Sequence, residues 1–264
     1  MNSVIDYVGI ARTNPYGRGT GGMMPTNYFF SLFADNDTRE ETTLHRVIYA
    51  NETATFTSEN GSDEINPGDT IAYYPKVTVD AAELADKLNR YWVFNPDQYY
   101  YGTPDNVDGV VYLYSTNVNK RNFPIFKKFD DKGFDESEGG FRDTYVFRVA
   151  GTHLLAAEAH LQAGNTTQAL VHINRVHERA TGVANYYTSL TIDDILDERA
   201  LELAGEVSRW NVLKRTGKLQ ERINLHNPHV MDHGAFDAGV HLLRPIPAHE
   251  LELSDGSLTQ NPGY

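Results

Sequence analysis

One run, RDTYVFRVAGTHLLAAEAHLQAGNTTQALVHINRVHERATG (142–182), leaves few choices of fold. Val146, Ala150, Leu154, Ala157 and Leu161 recur at steps of three and four, the stripe of an amphipathic helix. Gly164 stands where a left-handed residue closes such a helix. Asn165, with Gln168 three places on, has the pattern of a cap for a second helix. That helix carries Ala169, Ile173, Val176 and Ala180 on one face and stops near Gly182. Two amphipathic helices separated by two residues fold back on each other as an antiparallel hairpin.

The alanine-rich faces allow close approach, as in tetratricopeptide-like pairs, although one pair is not a repeat array. A third long helix is expected in TIDDILDERALELAGEVSRWNVLKRTG (191–217). Thr191 is its N-cap, with Asp194 three residues later. Ile192, Leu196, Ala200, Leu203, Val207, Trp210 and Leu213 form its core stripe. Lys214 and Arg215 complement the helix dipole, and Gly217 ends it. Glu198, Glu202, Glu206 and Arg209 follow at steps of four, four and three, so they share one face. Like charges at that spacing repel by about 0.2–0.5 kcal/mol a pair unless cations answer them. One reading is a carboxylate pair for glycosidic acid–base chemistry. The other is an interhelical ion-pair network, with Arg199 and Arg209 close by and Arg175 and Arg179 reaching over from the preceding helix. The neighbours are Leu, Ala and Trp rather than the lining of a cleft, which favours the network.

Before about Gly140 the pattern changes. Gly, Asn, Asp and Pro punctuate the chain every few residues. LHRVIYA (44–50) and GVVYLYS (109–115) have strand composition. MPTNYFFSLF (24–33) and VDAAELADKLNR (79–90) suit short helices. The expected fold class is therefore mainly α: a helical hairpin plus a third long helix, with a long loop-rich region and a few short β-strands. Pro245 and Pro247 predict an extended path for the tail HLLRPIPAHELEL (241–253), packed back across the domain.

The net charge of −13 over 264 residues argues against nucleic acid or an anionic membrane surface as partner. Cysteine is absent, which removes disulfides, thiolate metal sites and cysteine nucleophiles. No apolar run approaches a membrane span. The start, MNSVIDYVGIARTNPYG, lacks the basic-then-apolar pattern of a signal peptide. HNPHVMDHG (226–234) matches no common zinc spacing. DNDTRE (35–40) lacks the Gly and distal Glu of a calcium loop. GRGTGG (17–22) lacks the Lys-Ser/Thr of a phosphate loop. No serine elbow or histidine triad is present. We expect no catalytic residue, no metal and no cofactor.

YWVFNPDQYYYGTPDN (91–106) is the richest binding material. Sugar recognition needs flat aromatic faces for the C–H side of a pyranose, and planar polar groups for its hydroxyls. Trp92, Tyr99, Tyr100 and Tyr101, with Asn95 between them, are the candidate ligand-binding residues. The competing reading makes Trp92 and Phe94 core anchors and the tyrosines surface cover. Tyr73 and Tyr74 form a weaker second candidate.

Three blocks together resemble the C-terminal region of the SusD/RagB family of outer-membrane nutrient-binding lipoproteins from Bacteroidota. They are FRVAGTHLLAAEAHLQAGNTTQALVHINRVHERA, ERALELAGEVSRWNVLKRTGKL and LLRPIPAHELELSDGSLTQNPGY. NPYGRGTGGMMPTNYFFSLFADNDTR adds a weaker match through Asp37 and Arg39. Gly151 departs from the family, which has Glu at that place. The resemblance implies residues 1–264 as a single C-terminal domain, with 1–140 loop-rich and ligand-facing and 141–264 helical. It implies that the family's N-terminal half, its signal peptide and its lipid-bearing cysteine lie outside this sequence. It further implies a non-catalytic protein on the extracellular face of the outer membrane, lipid-anchored when full-length, that delivers oligosaccharide to a TonB-dependent transporter. The alternatives are a peptide-binding branch, or a structural domain that docks a protein and binds no glycan.

Overall fold

The structure is a computed structural model. It describes residues 9–11, 13, 16, 25–58, 61–88, 90–99, 105–107, 110–112, 123–131, 141–206, 209–227, 230 and 236–264. Two compact units divide the chain, Met1–Glu206 and Val207–Tyr264. The first unit holds the loop-rich part together with the helical hairpin and the helix after it.

In the first unit come α1 (Asn27–Ser31), α2 (Thr38–Thr43), β1 (Leu44–His45), β2 (Val47–Tyr49), β3 (Ala54–Ser58), β4 (Gly61–Ile65) and β5 (Thr70–Tyr73). Then follow α3 (Ala81–Leu88), β6 (Trp92–Val93), β7 (Asp105–Val107), β8 (Val110–Tyr112) and β9 (Ile125–Phe126). The helices α4 (Val149–Gln162), α5 (Thr166–Thr181) and α6 (Ile192–Glu202) complete it. Strand β5 lies between β2, antiparallel with Ile48 opposite Ala72, and β6, parallel with Tyr73 opposite Val93. β1 pairs with β9, β3 with β4, and β7 with β8, all antiparallel. The expected strand at 44–50 is split by Arg46 into β1 and β2, and 24–33 and 79–90 yield the short α1 and α3.

Two apolar clusters form. The first is largely aromatic, with Phe29, Phe30, Phe33, Tyr74, Tyr99 and Phe123 around Ile48, Ile71 and Ile125. The second is aliphatic and lies inside the hairpin, with Leu154 and Ala157 from α4 against Ala169, Ile173 and Val176 from α5. Helix α6 serves both. Leu201 enters the first cluster, while Ile195 and Leu203 enter the second. At about 100° per residue, Glu198 and Glu202 fall between Ile195 and Leu201 around the helix. The seam between the two clusters is therefore where these glutamates are buried.

The hairpin matches its sequence closely. Gly164 adopts φ +77°, and the Asn165 side chain accepts from the Gln168 N–H at 3.3 Å. Helix α4 begins at Val149, so Val146 is not part of its stripe and is 76% exposed. Helix α6 starts as expected. Thr191 Oγ1 accepts from the Asp194 N–H at 3.3 Å, and Asp194 Oδ2 accepts from the Thr191 N–H at 2.7 Å.

The third helix is present, but 198–217 is not one uninterrupted helix. α6 stops at Glu202, because Gly205 takes φ +75° and turns the chain. A Cβ at Gly205 would lie 2.5 Å from Phe129 Cε2. Both the left-handed backbone and the packed ring exclude a side chain there. Glu206 consequently sits on the turn after the helix, not on the helix itself.

The second unit contains α7 (Arg209–Arg215), α8 (Leu219–His226), α9 (Ala238–His241) and α10 (Ala248–Leu253). Leu213 and Leu219 are its buried anchors. Trp210 meets Phe236 edge-on, and the Arg244 guanidinium lies 5.7 Å from the Trp210 ring centroid. The expected extended path holds only around Pro245 and Pro247, since Ala248–Leu253 is helical and Leu253 is 68% exposed. The last residues bind that extended stretch. Gln260 pairs with both the N–H and the carbonyl of Ile246 at 2.8 and 3.0 Å, and Asn261 donates to the Arg244 carbonyl at 2.7 Å. Among the described residues no helix is long and apolar enough to cross a membrane.

Candidate functional site

Glu198, Glu202 and Glu206 meet cations from four different segments. Arg39, from α2, donates through Nη1 to Glu198 Oε1 at 2.6 Å and to Glu202 Oε2 at 3.2 Å. Its Nε and Nη2 bind Asp37, the N-cap of α2, at 2.9 and 2.7 Å. Arg148, just before α4, binds Glu202 and also reaches Glu206 through Nε at 2.6 Å. Arg179 of α5 reaches Glu202 Oε2 at 2.7 Å. Lys128, before α4 in the chain, pairs with Glu206. Four carboxylates (Asp37, Glu198, Glu202, Glu206) thus face four basic side chains (Arg39, Lys128, Arg148, Arg179). The second oxygen of Glu198 accepts from the Tyr187 hydroxyl at 3.0 Å and meets His177 Nδ1 at 3.1 Å.

The side chains of Glu198 and Glu202 are 0% and 1% exposed. Unpaired charges that deep would be very costly. Burial alone would raise the Glu202 carboxyl, yet Arg148, Arg179 and Arg39 together hold it below its ordinary range. Glu206 shows the same balance, its burial outweighed by Arg148 and Lys128. Burial also lowers Lys128, and Glu206 only partly restores it. The Tyr187 phenol is pushed up, first by burial and then by Glu198. Neither Glu202 nor Glu206 is held protonated as a proton donor. A general acid–base pair requires one acid and one base set apart by their surroundings, whereas Glu202 and Glu206 are shifted in the same direction and both are paired with cations.

The aromatic segment is arranged differently. Trp92 on β6 is 42% exposed. Its ring is parallel to Phe94 (centroids 6.4 Å, 11°), and Phe94 stacks on the fully buried Tyr74 (5.4 Å, 24°). Among the described rings Trp92 ends this ladder, held by Phe94 and partly exposed. Tyr99 does not join it at the surface. It is 1% exposed, packs edge-on against Phe30 and Tyr74, donates its hydroxyl to the Pro75 carbonyl and accepts from Arg46 Nη1 at 3.2 Å. Burial pushes its phenol well up, with Arg46 offsetting part of the shift. As a binding face Tyr99 is therefore corrected to a core residue. Asn95 is likewise buried, and its Oδ1 accepts from the Val79 N–H at 3.0 Å. Tyr100 and Tyr101 lie outside the described residues, as do most of the histidine stretch 226–234 and all of 17–22. Tyr74, half of the second aromatic candidate, is core, and Tyr73 lies beneath Lys87 Nζ at 5.8 Å. Asp37 is committed to Arg39, which leaves no calcium loop at 35–40. Among the described residues no group of three or more potential ligands could hold a metal.

The profile of the SusD family matches residues 2–264. The chain belongs to the SusD family. A SusD-like protein of Bacteroides ovatus is 34% identical over 132 residues, covering 48% of this chain and 24% of that protein. SusD-like protein P2 of Formosa agariphila is 33% identical over 130 residues, covering 44% of this chain and 25% of that protein. The alignments therefore span about a quarter of the length of these curated relatives. Among solved structures, surface glycan-binding protein A from Bacteroides thetaiotaomicron superposes with a TM-score of 0.50 at 20% identity, over 97% of this chain and 44% of that one. At that identity the likeness concerns the fold alone.

In this SusD-family chain the ridge was visible in sequence, but most of its cations were not. Arg179, one of the expected partners, reaches the ridge, and Arg39, Arg148 and Lys128 join it there. Arg39 is 159 positions from Glu198, and no local pattern announces such a pair. The one available hint was the Asp37–Arg39 match, carried by the resemblance. The Gly151 departure does not leave Arg148 idle, since α6 and the turn after it supply both of its partners.

Proposed function

We propose that this chain is the non-catalytic, glycan-binding part of an outer-membrane nutrient uptake system. In this reading it sits on the extracellular face of the outer membrane, lipid-anchored in its full-length form, and presents oligosaccharide to a TonB-dependent transporter. Membership of the SusD family supports the reading. The observation that carries it is the pairing of Glu198, Glu202 and Glu206 with guanidinium and ammonium groups. The acids that could have served hydrolysis are the fastening between two cores.

Trp92 is the proposed contact for the apolar face of a sugar ring. It is large, solvent-exposed and oriented by the Phe94–Tyr74 stack. Asn95, Tyr100 and Tyr101 are proposed to shape the same region, Asn95 by fixing the loop through Val79. The test is a glycan array with wild type and Trp92→Ala side by side, together with an assay for released reducing ends. We expect saturable binding of at least one soluble glycan, loss of that binding in Trp92→Ala, and no released reducing ends. Glycan binding indifferent to Trp92, or turnover that disappears in Glu202→Gln, would overturn the proposal.

A further inference from the structure

A concavity lies far along the chain from Trp92, beside the buried ridge. It is an open pocket of about 430 Å³, within the usual size of small-ligand sites. Tyr186, Thr188 and Ser189 line it from the connection after α5, and Asp194 and Asp197 from α6. Tyr186 is 57% exposed, and its ring stacks on His177 with centroids 4.1 Å apart at 19°. His177 is itself fixed, since its Nδ1 meets Glu198 and its edge is closed by Tyr187. One face of Tyr186 is therefore backed by a rigid ring, and the residue, more than half exposed, is part of the pocket lining.

We infer that this pocket is a second carbohydrate site, one that accepts a single neutral hexopyranose unit against Tyr186. The aromatic wall suits the C–H face of a pyranose. The hydroxyls of Thr188 and Ser189 and the carboxylate of Asp194 suit its hydroxyl groups. Charge selects the class. The lining carboxylates Asp37 and Glu198 both pair with Arg39, whereas Asp194 brings a negative charge to the lining. Asp194 accepts from Thr191 through Oδ2, which anchors it without removing its charge. The site disfavours uronic acids and other anionic sugars. It shares a ligand class with the Trp92 reading but rests on different residues, so either can fail alone.

The test is a titration followed by amide chemical shifts. Methyl α- and β-glucopyranoside, methyl β-galactopyranoside and methyl β-glucuronide are added to wild type, Tyr186→Ala, Tyr186→Phe and Trp92→Ala. Tyr186 is on the surface, so its removal leaves the fold intact, and unchanged thermal melting checks this. We expect at least one neutral glycoside to shift the amides of residues 186–189, 194 and 197 saturably. Tyr186→Ala should weaken that binding by about tenfold or more. Tyr186→Phe and Trp92→Ala should leave it intact. The inference is overturned if no neutral glycoside gives saturable shifts there, if Tyr186→Ala leaves them unchanged, if the glucuronide binds as well, or if Trp92→Ala removes them too.

Discussion

The ridge of α6 and the segment around Trp92 look alike as sequence, yet the structure uses them in opposite ways. Both gather residues that are common in active and binding sites. On the ridge, burial forces every charge to find a counter-charge, and the polar groups are used up in holding elements together. Around Trp92 the same pressure acts on apolar rings. It buries Tyr74 and Tyr99 and partly covers Phe94, while Trp92, the last of the described rings, remains 42% exposed. A polar cluster is a site only when some of its capacity stays unspent. An aromatic cluster is a site only where its last member meets water.

The comparison is broken most severely at Arg39. Arg39→Ala leaves Asp37 and Glu198 buried without their main partner, so we expect a loss of about 3–5 kcal/mol in urea unfolding. Gly205→Ala should follow, at about 2–4 kcal/mol, from a left-handed backbone and a clash with Phe129. Thr191→Ala removes one cap from α6 and should cost about 1 kcal/mol. Trp92→Ala lies at the other end of the scale. It should change stability by less than about 1 kcal/mol while abolishing glycan binding, which separates the two regions in one experiment.

Acid sharpens the same contrast. Glu202 and Glu206 have carboxyls held below their ordinary value in the folded chain. Their contribution is complete above the unfolded carboxylate range, about 4.3, and is lost as pH falls through the lower folded values. Urea midpoints should therefore fall on the acid side, and Glu202→Gln should flatten that fall. Trp92→Ala should leave the slope unchanged.

How much of this the sequence showed depended on distance along the chain. Gly164, Asn165 and the Thr191–Asp194 box act within a few residues, and the hairpin and the start of α6 were legible from them. The helix break at Gly205 was not, because one glycine within an apolar stripe does not announce a positive φ, and Phe129, which leaves no room for a side chain there, lies 76 positions earlier. The alternation that marks Trp92 as exposed is too short, over the two residues of β6, to separate it from Tyr99. Tyr99 is drawn inward by the Pro75 carbonyl and Arg46, partners no local pattern exposes. The ridge itself was visible as spacing. Its role was decided by Arg39, Lys128 and Arg148, which come from elsewhere in the chain.

The most direct test of the ridge as a fastening is a double-mutant cycle on Arg39→Met and Glu198→Gln, read as unfolding free energies in urea. Direct pairing predicts that the double variant is less destabilised than the sum of the singles, by about 2 kcal/mol or more. Additivity within about 0.5 kcal/mol would mean that the two groups do not hold each other, and would contradict the account.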